Sequence, residues 1–173
     1  MRLAAAVAVL FLPVSCLAQF HIDSGARQML ASPDKAFAMQ AHQSSLGGVQ
    51  FGKLATQKAA TPELKEFGAQ LADVYGQLSN KLEAIVSSDK MFLARVISAK
   101  DQTQYDKLAK LSGAAFDKAY AKQVLKTQKA AVKRYARQAK KGKEERLRDF
   151  AAESLPVLEQ QVKKLKSLHS QTS

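Results

Sequence analysis

PELKEFGAQLADVYGQLSNKLEAI, residues 62–85, decides the fold. Leu64, Phe67, Leu71, Tyr75, Leu78, Leu82 and Ile85 recur at steps of three or four, which on a 3.6-residue helix makes one nearly continuous apolar stripe. Thr61-Pro62-Glu63 just ahead is a helix start: a capping residue, Pro in the first turn and an acid beside the positive end of the helix dipole.

The same signal, Ser32-Pro33-Asp34, opens an earlier helix that runs to about Ala60, with Ser32 as its cap. Met39, His42, Leu46, Val49, Gln50 and Leu54 share one of its faces, and Gly47-Gly48 permits close helix approach. Residues 87–100 hold a short apolar cluster, MFLARVI, that suits a cap or a helical turn. A short helix from about Asp101 to Leu111 ends at Ser112-Gly113. A third long helix, from Ala114 to about Lys140, buries Phe116, Tyr120, Val124, Ala131 and Tyr135, with Gln128 on the same face. Lys141-Gly142-Lys143 makes the turn into a fourth, Glu144 to about Leu168, whose stripe runs through Leu147, Ala151, Leu158, Leu165 and Leu168 and includes Gln161. Neither strand alternation nor a strand-helix repeat occurs, so the expected fold class is all-α: an antiparallel four-helix bundle with a short extra helix between the second and third long helices. No internal sequence repeat and no low-complexity tract is legible.

The first residues, MRLAAAVAVLFLPVSCLA, form a secretory signal: one Arg, an apolar run from Leu3 to Leu12, Pro13, then small residues up to Ala18. The expected organisation is a signal peptide at 1–18, a linker at 19–32, one helical domain at 33–169 and a tail at 170–173. Cleavage after Ala18 leaves 155 of 173 residues, enough for one domain. A minor alternative makes Cys16 a lipid-modified cysteine, although Pro13 suits such a box poorly. Cys16 is the one cysteine, so the exported chain has nothing to cross-link. The expected location is the periplasm or cell envelope, with no transmembrane segment in the mature chain.

The formal charge is +12. Lys118, Lys122, Lys126, Lys129, Lys133, Arg137 and Lys140 recur at helical spacing along one edge of the third long helix, with few acids to offset them. Such a stripe suits an anionic envelope polymer, a lipid headgroup or an acidic protein. Tyr120 and Tyr135 point to the opposite face, so base stacking has no platform and nucleic acid is not an expected partner. Catalytic patterns are missing. No His-x-x-x-His or Glu-x-x-His pair, nucleophile elbow or phosphate loop occurs, and His42 reads as a partly buried polar residue bonded to a neighbour.

LGGVQFGKLATQKAATPELKEFGAQLADVYGQLSNKL, KLSGAAFDKAYAKQVLKTQKAAV and LRDFAAESLPVLEQQV together resemble the exported, ferritin-like bacterial family called domain of unknown function 4142. The resemblance runs from about Phe37 to Leu165, and LSGAAFDKAY and LPVLEQ are its most specific pieces. It implies a ferritin-like bundle whose members carry acidic residues and histidines at positions that can converge inside. Here the acidic places of the first helix fall on Gly48 and Gln50, and the three histidine places on Tyr75, Gln128 and Gln161. Gln lacks the imidazole lone pair and the carboxylate charge that transition metals prefer, so the four positions Gln50, Tyr75, Gln128 and Gln161 are expected to meet as a vestigial site, paired with each other. No cofactor and no enzyme activity are expected. The expected function is a non-catalytic envelope structural or interaction protein with a basic face, and the alternative is a ferritin-like metal-binding or redox protein.

Overall fold

The computed structural model describes residues 30–89 and 91–171. The expected signal peptide, residues 19–29 of the expected linker, residue 90 and the last two residues of the expected tail lie outside them. Among the described residues five α-helices follow one another: α1 (Ser32–Lys58), α2 (Pro62–Val86), α3 (Ala99–Ala109), α4 (Gly113–Lys141) and α5 (Glu145–Gln171), with a 3-10 turn at Ser87–Asp89 after α2. Among the described residues there is no strand. No described helix is long and apolar enough to cross a membrane.

Helices α1 and α2 form one hairpin and α4 and α5 another, and the hairpins pack with α1 on α4 and α2 on α5. The α1–α2 contact is built on small residues. A Cβ on Gly52 would lie 2.6 Å from the Gly68 carbonyl oxygen, and one on Gly68 would lie 2.7 Å from that of Gly52, so the two backbones cross with nothing between them. The α4–α5 hairpin is held instead by bulk. Tyr135 and Phe150 have ring centroids 5.7 Å apart, and Phe37 of α1 meets Tyr135 edge-on at 5.2 Å, joining the hairpins.

Two buried carboxylates tie the hairpins together reciprocally. Asp34, in the first turn of α1, accepts the backbone N–H groups of Lys143 and Glu144 at 3.1–3.2 Å and the Gln138 amide at 2.7 Å, thereby capping the start of α5. Asp117, near the start of α4, accepts the N–H groups of Ala60 and Thr61 at 2.9 and 3.1 Å and the Thr61 hydroxyl at 3.1 Å, thereby capping α2. A carboxylate that accepts several N–H bonds at a helix start is favoured by both hydrogen bonding and the helix dipole.

This reciprocity exposes a repeat that residue identities conceal. An offset of 83 residues carries Asp34 onto Asp117, Phe37 onto Tyr120, Ser45 onto Gln128, Leu64 onto Leu147, Phe67 onto Phe150 and Leu82 onto Leu165, and all twelve are buried. The hairpins are therefore equivalent in burial and capping, each closing the other's turn as the halves of a symmetric dimer do.

Several sequence expectations change. Ser32 is the first residue of α1 rather than its cap, the cap being Ala31 with no side-chain bond. Thr61 caps α2 by position, but its hydroxyl donates to Asp117 rather than accepting from its own helix. The inner face of α1 is made by Phe37, Ala38, Ala41, Ser45, Phe51, Gly52 and Ala55, while Met39 is 46% exposed. The close crossing selects small side chains there, so the large apolar residues do not mark the phase. After the 3-10 turn, residues 91–98 form no helix and pack as a cap, with Met91 and Leu93 against the core: His42 donates from Nε2 to the Ala94 carbonyl at 2.8 Å and Gln43 donates to that of Val96, pinning residues 94–96 to α1. With Nε2–H engaged, His42 Nδ1 accepts the Ser79 hydroxyl at 3.2 Å, which makes this histidine wholly buried rather than partly so.

Replacing either buried carboxylate orphans several N–H groups at a helix start. Asp34→Ala and Asp117→Ala are each expected to lower unfolding stability by about 2–4 kcal/mol in urea titrations. Asp106→Ala, at an exposed position, is expected to stay within about 0.5 kcal/mol of the parent.

Candidate functional site

Helix α3 lies across the α1–α4 side of the helical body, packing on both helices and leaving a cleft of about 280 Å³ beneath it. The floor of this cleft holds three of the positions singled out from sequence: Gly48, Tyr75 and Gln128. The Tyr75 ring lies flat over Gly48, where an added Cβ would sit 2.3 Å from its Cγ. Glycine is thus required on α1 for a tyrosine to occupy α2 at this level. The Tyr75 hydroxyl donates to Gln128 Oε1 at 3.0 Å, and both side chains are buried. Burial, with the nearby Tyr135 phenol second, holds the Tyr75 hydroxyl above the ordinary tyrosine range, so it is a neutral phenol that donates.

The other two positions lie elsewhere. Gln50 is exposed on α1 and does not join the pair, which corrects the expectation of four converging residues. The cause is the phase of α1: Phe51, Gly52 and Leu54 turn inward and carry Gln50 out. Gln161 is buried on α5, but it borders a separate groove with Asp73, Val157 and Lys164, and its Oε1 has no hydrogen-bond partner. Its place on the apolar stripe of α5 is real, and it leaves a buried carbonyl unsatisfied.

These residues do not fit a transition metal. The floor offers an amide, a neutral phenol already bonded to that amide, and a glycine, with no imidazole or carboxylate among them. Among the described residues no group of three or more His, Cys, Asp or Glu side chains could hold a metal ion.

Residues that the sequence did not single out complete the cleft. Arg134 is half-buried and donates from Nη1 to the Ser44 hydroxyl at 2.9 Å, and Lys100 and Asp101 come from the first turn of α3. The signal for Arg134 was its position: it is next to buried Tyr135 and off the basic stripe, so it sits at the edge of the apolar face.

The stripe itself lies on the outer side of α4, with Lys118, Lys122, Lys126, Lys129, Lys133, Arg137 and Lys140 all exposed. It borders two grooves. One is lined by Lys122, Lys126, Lys129 and Lys133, and the other, toward α3, by Lys107, Lys122 and Lys126. Among the described residues, none of Lys122, Lys126, Lys129, Lys133, Arg137 and Lys140 takes part in an ion pair; the pairs that form involve Lys81, Arg146 and Lys164. The one acid of α4, Asp117, is buried and committed to capping α2.

The family described as domain of unknown function 4142 matches residues 21–168. In structure the chain is similar to the crystal structure of a DUF305 fragment from Deinococcus radiodurans, with a TM-score of 0.73 at 7% identity, covering 83% of this chain and 99% of that one. That likeness is one of fold alone. No curated protein matches the chain in sequence.

The fit of Tyr75 on Gly48 is testable by a double-mutant cycle. Gly48→Ala is expected to cost about 1–3 kcal/mol through overpacking. In a Tyr75→Ala background the same change is expected to cost little, so the coupling energy, measured by chemical denaturation, reads the contact directly.

Proposed function

The chain belongs to the domain of unknown function 4142 family, and from that premise we propose that it is a non-catalytic, exported helical-bundle protein of ferritin-like build that docks on an anionic component of the cell envelope through the outer face of α4. The observation that carries this reading is the exposed basic stripe, in which Lys122, Lys126, Lys129, Lys133, Arg137 and Lys140 take part in no ion pair among the described residues. From Lys118 to Lys140 it spans 23 residues, about 33 Å from end to end at 1.5 Å rise per step. A solvated helix face normally intersperses acids with its cations, as α2 does with Glu63, Glu66, Asp73 and Glu83. Helix α4 has none exposed. A linear array of lysines beside two shallow grooves suits an extended polyanion, such as an anionic polysaccharide or a lipid-headgroup surface, better than a compact ligand.

Export rests on residues 1–18, which have the charge, apolar run and small-residue ending of a signal peptide. The ferritin-like reading is supported by four long helices in two short-linked hairpins, with a cleft at the level where the family's ligand positions fall. The competing reading, a metal-binding or redox protein, asks for donors that the positions Gly48, Gln50, Tyr75, Gln128 and Gln161 do not supply. Elemental analysis of protein purified without added metal separates the two: near-unit occupancy by iron, manganese or zinc reverses the choice.

Docking should be salt-sensitive, because exposed charges are screened over about 8 Å at physiological ionic strength. Binding to vesicles containing anionic lipid, or to lipopolysaccharide, is expected to fall steeply between low and physiological salt. Changing Lys122, Lys126, Lys129 and Lys133 together to Gln is expected to abolish it with helicity intact, since Gln is a fair helix former. Changing the exposed Lys53, Lys65, Lys143 and Lys163 to Gln removes the same charge elsewhere and is expected to leave most of it. Equal loss from both sets would show that net charge alone is responsible.

A further inference from the structure

The cleft under α3 is independent of the basic stripe, and its chemistry is different. We infer that it binds a small organic monoanion: a carboxylate with a short apolar body. Its volume, about 280 Å³, is at the small end of the range for small-molecule sites. Phe51, Leu71 and Val124 supply apolar wall, and the polar groups around them include two cationic donors, Lys100 and Arg134, and the Gln128 amide.

Two of these groups keep N–H donors in reserve. Arg134 makes one hydrogen bond, to the Ser44 hydroxyl, and has no carboxylate partner among the described residues. A half-buried guanidinium so placed keeps a fork of N–H groups for a planar anion. Gln128 is only 2% exposed, and its Oε1 is taken by the Tyr75 hydroxyl. That bond fixes the amide with Oε1 toward Tyr75, and the Nε2 group, on the cleft wall, has no acceptor among the described residues. The Nε2 group is open to the cleft, where an acceptor can reach it.

Charge selects the class of ligand. The cleft has two cations, Arg134 and Lys100, against one acid, and that acid is engaged: Asp101 accepts the Ser98 hydroxyl at 2.7 Å while its own N–H donates back to Ser98 Oγ at 3.0 Å. The balance is one positive charge, which a monocarboxylate neutralises. The fork of Arg134 and the Gln128 amide offer several donors to two oxygens, and the apolar wall takes the remainder. The Tyr75–Gly48 contact makes this possible, because the ring that stands where the family places histidine also turns the Gln128 amide toward the cleft.

The test is a titration of the purified protein with straight-chain carboxylates from acetate to decanoate, plus benzoate and phenylacetate, read by calorimetry and by the side-chain amide resonances of Gln128. At least one mid-length or aromatic carboxylate is expected to bind and to shift the Gln128 Nε2 signals, with the matching alcohol weaker by about tenfold or more, the worth of a charge-assisted hydrogen bond. Arg134→Gln is expected to remove that preference with the helical signal unchanged. The stripe variant with Lys122, Lys126, Lys129 and Lys133 changed to Gln is expected to bind the carboxylate like the parent, so failure here and failure of polyanion docking are separate results. The inference is overturned if no member of the panel binds, if alcohol and acid bind equally, if Gln128 stays silent during binding, or if Arg134→Gln leaves the preference intact.

Discussion

Two carboxylates held out of water at opposite ends of the protein set its geometry. Asp34 and Asp117 each lie inside one hairpin and satisfy the helix start in the other. A buried charge is tolerated only where several donors converge on it, and backbone N–H groups at a turn converge only when the turn is correctly placed. Each acid therefore fixes the rotation and height of the opposite hairpin. The aromatic contacts of Phe37, Tyr135 and Phe150 and the seating of α3 follow from that alignment.

The two hairpins spend their equivalence differently. In α1–α2 the crossing of Gly52 over Gly68 brings backbones together and leaves little side-chain volume, whereas α4–α5 is separated by Tyr120, Tyr135 and Phe150. The body is consequently asymmetric about a symmetric frame. On the α1 side, Gly48 gives the Tyr75 ring room to lie flat, and the bond from Tyr75 to Gln128 crosses to the other hairpin. One small residue thus makes room for a neutral, hydrogen-bonded floor at this level of the interior. Above it, α3 and Arg134 supply charge to the cleft, and on the far side of the same helix α4 presents lysines to solvent. Helix α4 therefore contributes cationic side chains to two separate surfaces with different sets of residues.

The sequence by itself determined the helices. Their number, order and type, the turns at Thr61 and Gly142, and the short helix between the long pairs follow from periodicity and stop signals, with ends shifted by one to three residues. The seven-cation stripe was equally legible, because exposure of long charged residues at helical spacing needs no partner to specify it. The inward placement of Tyr75, Gln128 and Gln161 was readable for the same reason, each being flanked at three- and four-residue steps by large apolar side chains.

Only the tertiary structure decided what depends on a second helix. The phase of α1 was hidden because close packing selects Ala, Ser and Gly, which carry almost no hydropathic signal, so Gln50 was placed inside when Phe51 and Gly52 turn it out. Asp34 and Asp117 look in sequence like acids serving their own helices, and their actual partners lie more than fifty residues away along the chain. The repeat at 83 residues was invisible for a related reason. It conserves burial and capping while exchanging Ser45 for Gln128 and Leu71 for Ser154, and burial is a property that residues acquire from their neighbours. The cleft of Arg134, Gln128 and Asp101 likewise exists only where α1, α3 and α4 meet, a juxtaposition that local periodicity cannot specify.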